Sequence, residues 1–410
     1  MELRDYQKTI VNKAIEVIKR SGFVYLAMEV RTGKTLTSLS IAEKMNKKQV
    51  LFITKKKAIS SIDNDYDLLK PSFYLHTINY ESLHKISSDL DFDMIIVDEA
   101  HSIGAFPKPS KRAKDVRSLI INKRADIILM SGTPTPESYS QMYHQVYAIP
   151  KNPFAEFKSF YKFCGKYVNV KERIINSLRI RDYSEGHKSI MDDMKPYMIS
   201  YSQKEAGFKV KTEENVLYVD MLQTTYNLAK RLQKELVVEG KDEVILADTP
   251  VKLMMKLHQI YSGTIKFEGG SSMVIDKSKA EFIKKRFNGK KIGIFYKFKE
   301  ELNALKEVYS DELTTELDVF DKTNKSIALQ IVSGREGISL KKAEFLVYYN
   351  IDFSATSYWQ SRDRMTTKDS IHNNIYWIFS RGGIEDKIYK AVTKKKDYTL
   401  SHFKKDLLSL

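Results

Sequence analysis

The sequence predicts an α/β fold with two parallel-sheet units and a small helical appendage. Two observations point to this class: short apolar runs alternate with stretches whose apolar residues recur at helical spacing, and this series appears twice along the chain. A third is that chemistry-bearing residues stand directly after these runs, where parallel sheets present ligands. Strands alternating with helices imply a parallel sheet covered on both faces. The 410 residues exceed one ordinary core, so two or three domains are expected.

Residues 23–28 read as the first strand. A Gly33-Lys34-Thr35 turn follows, and Leu36, Leu39, Ile41, Ala42 and Met45 then give a helix one apolar side. Runs at 50–54, 94–97 and 127–130 continue the strand series. After Pro150 the texture changes. Phe154, Phe157, Phe160, Tyr161, Phe163 and Tyr167 interleave with lysines, and strand signals fade. Residues 150–203 are therefore expected to be a helical appendage closing the first unit, its aromatics either a small core or a base-stacking surface. The polar stretch 204–215 is the expected linker between residues 1–149 with their appendage and a second unit over 216–410. In that unit, helices are expected at 221–236 and 251–260, and strands at 292–296, 327–332, 345–350 and 375–379. No long insertion or wedge-like element is visible in the sequence.

There are 68 Lys and Arg against 52 Asp and Glu, a formal charge of +16. That surplus suits a polyanionic partner, nucleic acid first, and also suits a composition inflated in Lys, Ile, Asn and Tyr. The single cysteine, Cys164, excludes an internal disulfide and a cysteine-based metal site. The N-terminal residues carry no secretory signal pattern, and no run approaches the ~20 apolar residues of a membrane span. A reducing, cytoplasmic compartment and no membrane partner are expected.

Residues Met28-Glu29-Val30-Arg31-Thr32-Gly33-Lys34-Thr35 have the make-up of a phosphate loop. Gly33 lets backbone amides approach phosphate closely, Lys34 supplies charge, and Thr35 offers a hydroxyl to Mg²⁺. The following helix N-terminus adds its dipole. Met28 stands where the pattern has its first glycine. Downstream, Asp98-Glu99-Ala100-His101 ends the run 94–97. Asp98 is the expected Mg²⁺ ligand and Glu99 the residue that orients or deprotonates water. Either motif alone is modest, but the two in this order point to nucleotide hydrolysis. His101 would link this site to Ser131-Gly132-Thr133-Pro134, where Ser131 and Thr133 could relay the state of the γ-phosphate.

The ordered set resembles superfamily-2 helicases and translocases with a DEAH box, specifically the Swi/Snf-type branch common in bacteriophage genomes. Leu3-Arg4-Asp5-Tyr6-Gln7 resembles that family's adenine-sensing opening, with Gln7 reading the base beside Arg4 and Thr32. Thr54-Lys55 and the segment with Asn79 and Tyr80 resemble its first-lobe nucleic-acid contacts. Lys195-Pro196-Tyr197-Met198 resembles the end of its first lobe, and Ile292–Tyr296 its motif IV. Gly334–Leu340, with Arg335 and Gly337, looks like motif V, which touches both nucleic acid and nucleotide. Gln360-Ser361-Arg362-Asp363-Arg364 looks like motif VI.

The resemblance runs from Leu3 to Ile384 and implies two RecA-like P-loop NTPase lobes using ATP and Mg²⁺. One departure stands in motif VI. The family places arginines four and seven residues after its glutamine, and here those positions are Arg364 and Thr367. Arg364 is the first choice for the arginine finger and Arg362 the second. Lys111 and Arg112 are further candidates for phosphate contact.

The implied function is an ATP-driven DNA helicase or translocase that moves on duplex DNA or remodels forked and branched DNA in phage replication or recombination, in the bacterial host cytoplasm. Single-stranded DNA and RNA are alternative lattices, and phage or host replication and recombination proteins are possible partners. A monomer would suffice. Two alternatives are a degenerate motor that binds nucleic acid with little turnover, for which Met28 and Thr367 would be the marks, and the motor subunit of a restriction or defence complex.

Overall fold

The computed structural model describes residues 2–87, 89–175, 178–207, 211–240, 243–331, 340–362 and 372–394. The chain divides into two compact units, Met1–Phe208 and Lys209–Leu410. Among the described residues no helix is long and apolar enough to cross a membrane.

The first unit begins with α1 (Asp5–Ser21), β1 (Phe23–Met28), α2 (Lys34–Lys44), β2 (Gln49–Thr54), α3 (Ile59–Leu69) and β3 (Tyr74–Asn79). It continues with β4 (Met94–Val97), α4 (Lys111–Asn122), β5 (Asp126–Met130), α5 (Met142–Val146) and α6 (Phe160–Tyr167). It closes with β6 (Lys171–Ile175), β7 (Leu178–Asp182), α7 (Ser189–Met194) and β8 (Met198–Tyr201). Six strands form one parallel sheet in the order β3-β2-β4-β5-β1-β8. Its central strands are apolar on both sides because helices cover both. Val24, Leu26 and Met28 pack with α1 and α2, while Phe23 and Tyr25 pack with residues of α5, α6 and α7. Each fully buried Leu, Ile or Phe contributes about 1.5–3 kcal/mol, so these runs specify the sheet strongly.

Residues 150–203 are less uniformly helical than the aromatic–lysine texture suggests. Besides α6 and α7, the stretch holds an antiparallel hairpin, β6–β7, that joins neither large sheet, and the edge strand β8. A two-stranded ribbon and a short edge strand need no continuous apolar run, so strand signals faded there without the strands being absent. The aromatics of this stretch form core. Phe154, Phe160, Phe163 and Tyr167 are buried, with Phe163 stacked on Tyr167 at 4.8 Å between centroids. They are not available to stack on bases, whereas Tyr161 is exposed. Cys164 is buried among them, which pushes its thiol up to about 12 and keeps it protonated.

The second unit opens with β9 (Lys211–Val219), α8 (Gln223–Glu235), the ribbon β10–β11 (Val237–Glu239, Val244–Leu246), α9 (Pro250–Tyr261) and the ribbon β12–β13 (Thr264–Lys266, Ser272–Val274). Then come α10 (Ser278–Arg286), β14 (Ile292–Tyr296), α11 (Lys299–Tyr309), β15 (Leu313–Thr314), α12 (Leu317–Lys322), β16 (Ser326–Gln330) and β17 (Phe345–Tyr348). It ends with α13 (Ala355–Arg362), β18 (His372–Ser380) and α14 (Glu385–Val392). Its sheet is again six-stranded and parallel, in the order β15-β16-β14-β17-β18-β9. One face packs on α8, α9, α12, α13 and α14, the other on α10 and α11. The fold is therefore α/β with two RecA-like parallel-sheet lobes. The polar stretch 204–215 includes the start of β9, whose Glu213 and Glu214 gave no apolar signal.

Candidate functional site

The first unit gathers its polar residues where β1, β2, β4 and β5 end. The loop after β1 turns through two left-handed residues, Arg31 at φ 64° and Gly33 at φ 79°, before α2 begins at Lys34. Successive amides in such a turn form a concavity that favours an anion, and the start of α2 adds its dipole. Lys34 Nζ donates to the Met28 and Glu29 carbonyls at 2.9 and 3.2 Å, folding the lysine over its own loop. Thr32 is buried, its hydroxyl donating to the Glu29 carbonyl, and Thr35 is half-buried in the first turn of α2.

Gln7 supports the loop from α1. Its amide donates to the Gly33 carbonyl at 3.3 Å and accepts from the Arg4 backbone N–H at 3.0 Å. Arg4 donates to the Tyr6 hydroxyl, which in turn donates to the Thr32 carbonyl. A Cβ at position 33 would stand 2.4 Å from Gln7 Nε2, on a backbone that side chains avoid. Gly33→Ala should therefore cost about 1–3 kcal/mol of stability and weaken nucleotide binding at least about tenfold. A thermal melt and a nucleotide titration would check this, and unchanged binding would remove Gly33 from the phosphate cradle.

Asp98 is held at the end of β4 by Thr54, whose hydroxyl donates to Oδ2 at 2.9 Å. Burial pushes its carboxyl up to about 6, with the Glu99 charge adding and with Lys34 and Thr54 opposing. A half-buried carboxylate beside a second one is a site that gains from a divalent cation, and the oxygen donor set suits Mg²⁺. Among the described residues no cluster of three His, Cys, Asp or Glu is placed to hold a metal ion. Glu99 sits in left-handed backbone at φ 50°, and its Oε2 lies 3.3 Å from His101 Nδ1. The same nitrogen is 2.9 Å from Ser131 Oγ, which accepts from the Thr133 backbone N–H at 3.1 Å. Glu99, His101, Ser131 and Thr133 thus form one connected chain across β4 and β5.

Several residues at this site gave no sequence signal. Tyr25 is buried and donates to Gln145 Oε1 at 2.7 Å, and Gln145 donates to the Pro134 carbonyl at 2.8 Å, supporting the turn after β5. The strand that leaves the first unit is tied to the phosphate loop. Tyr201 stacks on Tyr6 at 4.6 Å, and its carbonyl accepts from the Glu29 N–H. The Gln203 backbone N–H donates to Glu29 Oε2, and its side chain to the Val30 carbonyl at 2.9 Å. These are long-range amide and hydroxyl contacts, which no local pattern announces.

The expected nucleic-acid contacts divide. Thr54 is buried and engaged by Asp98, and Tyr80 is buried with its hydroxyl donating to the Asp98 carbonyl, so neither presents a surface to a base or phosphate. Arg112 lies over the Tyr80 ring at 5.5 Å and pairs with Glu81. Lys55 is half-buried, Lys111 is exposed, and Asn79 keeps a buried Oδ1 with no hydrogen-bond partner among the described residues. In the second unit Arg362 pairs with Glu214 at 2.7 Å. Arg335, Gly337 and Arg364, and the side chain of Gln360, lie outside the described residues.

Comparison with known proteins decides the family. The SNF2-related domain matches residues 34–264, more than half of the chain. The chain belongs to the SNF2-related family. The res subunit of type III restriction enzymes matches residues 1–66, which include Gln7 and the phosphate loop. The SNF2-related match ends before the residues resembling motifs IV to VI. Two solved Sulfolobus solfataricus structures are similar to the chain. The SWI2/SNF2 ATPase core in complex with dsDNA is 16% identical, over 99% of this chain and 92% of that one, with a TM-score of 0.43. The SWI2/SNF2 ATPase core domain is 17% identical, over 96% and 89%, with a TM-score of 0.43.

Proposed function

We propose that this SNF2-related chain is an ATP-driven DNA motor, with duplex or branched DNA as its lattice. The observation that carries the reading is the connected set at the strand ends of the first unit. Lys34 and Thr35 stand at the loop, Asp98 and Glu99 beyond β4, and His101 joins Glu99 to Ser131. Lys34 would exchange its two loop carbonyls for nucleotide phosphate, a charged and therefore stronger acceptor. Gln7 would read the base from a position already fixed by Arg4 and Gly33. Thr35 and Asp98 would hold Mg²⁺, which neutralises charge on the transferring phosphoryl group when bound. Glu99 would orient the water and take its proton, and His101 would pass any shift of Glu99 to Ser131 and the Thr133 amide. In the second unit Arg364 is the expected arginine finger. Intact Lys34, Thr35, Asp98 and Glu99 favour this reading over a degenerate motor. Remodelling of forked or branched DNA during phage replication or recombination is the role its resemblance suggests.

A lattice motor must grip phosphates rather than bases. The excess of 16 positive charges and exposed lysines such as Lys56, Lys57 and Lys111 suit such a grip. Two measurements test the proposal. Lys34→Ala should lower ATP turnover by on the order of 10²–10³ while leaving DNA affinity within about twofold. DNA affinity of the wild-type chain should fall steeply as salt rises. Equal loss of turnover and DNA binding in the variant, or salt-independent binding, would contradict the reading.

A further inference from the structure

The second unit contains a carboxylate that the proposed reaction leaves unused. Glu214 lies on β9, beside Ile375 of β18, and its side chain is only 13% exposed. Among the described residues, four side chains converge on it. Tyr358 donates its hydroxyl to both oxygens at 2.9 and 2.8 Å, and Trp377 Nε1 donates to Oε2 at 3.0 Å. Tyr389 donates to Oε2 at 3.1 Å, and Arg362 reaches Oε1 at 2.7 Å. The rings form a wall around the carboxylate. Trp377 stacks between Tyr348 at 3.9 Å and Tyr358 at 5.4 Å, and Arg362 lies 5.4 Å from the Tyr358 centroid.

Two of these partners are four residues apart on α13, so they share one face of that helix. The other end of α13 is tied as well, through Ser357 Oγ donating to Asp352 Oδ2 at 2.7 Å. Asp352 in turn pairs with Lys297. The segment resembling motif VI therefore carries this anchor at Arg362, and in the sequence it runs on two residues further to Arg364.

We propose that Glu214 is the positioning residue of this segment: by holding Tyr358 and Arg362 it fixes the pose of α13 and so the rate at which Arg364 can act, which makes Arg362 an anchor and not the finger. This rests on the proposed ATPase. A charged acceptor makes hydrogen bonds about twice as strong as a neutral one, and here several converge in a largely dry setting. Small misplacements of a reacting group can cost as much as about 10²-fold in rate.

The test compares wild type, Lys34→Ala, Glu214→Gln, Arg362→Met and the Glu214→Gln/Arg362→Met double variant of the full chain. Glu214→Gln keeps the shape and removes the charge. It should lower kcat for ATP about tenfold or more with KM for ATP within about twofold. Arg362→Met should behave alike, and the double variant should be no worse than the worse single one. Hydrogen exchange over 355–362 reads the positioning without reference to turnover and should quicken about tenfold in Glu214→Gln, with β14 and β16 unchanged. Should Glu214→Gln fail to fold, Tyr358→Phe removes one donor and should give a several-fold loss in kcat alone. Unchanged exchange, or kcat and ATP affinity falling in equal proportion, would overturn the proposal. A wild-type rate no higher than that of Lys34→Ala would instead overturn the ATPase reading, while the exchange result would still decide whether Glu214 holds α13.

Discussion

A Glu99→Gln variant should bind ATP and DNA as the wild type does and hydrolyse ATP on the order of 10²–10⁴-fold more slowly. The amide preserves the shape of the side chain but accepts no proton. Glu99 stands at the end of a buried strand in left-handed backbone, its carboxylate steered by His101 Nδ1 at 3.3 Å. The geometry suits a group that acts on water more than one that holds nucleotide. Phosphate release in single turnover, beside a direct ATP-binding titration, separates the two. Weaker ATP binding with an unchanged chemical step would move Glu99 out of the water-orienting role. His101→Ala should cost less, because it removes the contact that steers Glu99 and the link to Ser131 but leaves the carboxylate itself in place.

Asp98→Asn should make the nucleotide-free protein more stable and at the same time abolish Mg²⁺-dependent turnover. The folded carboxyl is raised to about 6, from an ordinary value of 3.8. The folded state therefore holds its proton more tightly than the unfolded chain does. Between about pH 4 and pH 6 stability from this group falls as pH rises, and above about pH 6 the full penalty of ~1–3 kcal/mol is present. Asparagine carries no charge to bury. The variant's melting temperature should exceed the wild type's by about 2–8 °C at pH 7.5 and converge with it near pH 4. Saturating Mg²⁺-ATP should narrow the difference at pH 7.5, because it stabilises the ionised wild-type site alone. A variant less stable at pH 7.5 would mean that the Thr54 hydrogen bond outweighs the buried charge.

What the sequence disclosed follows the physics of burial. β1, β4 and β14 are covered on both faces, so each reads as an unbroken apolar run, and their limits match the expected ones. Edge strands have no such run. β3, with residues only half-buried or exposed, was not read as a strand, β8 fell within the expected helical appendage, and the acidic start of β9 fell within the expected linker. Of the candidate site residues, those read from chemical signatures, Lys34, Asp98, Glu99, His101 and Ser131, stand together in the structure. Tyr80 and Thr54, read as nucleic-acid contacts, turn their hydroxyls to Asp98, and a hydroxyl that faces inward looks in sequence like one that faces nucleic acid. Gln203 and Glu214 were invisible, since each acts through partners more than 140 residues away in the chain.

The most direct measurement is the steady-state ATPase rate of the wild-type chain with no nucleic acid, single-stranded DNA, duplex, forked and four-way DNA, and RNA, each beside Lys34→Ala. The account predicts a rate raised at least about tenfold by duplex or branched DNA and lost in the variant. A rate indistinguishable from that of Lys34→Ala on every lattice, with DNA binding intact, would contradict it.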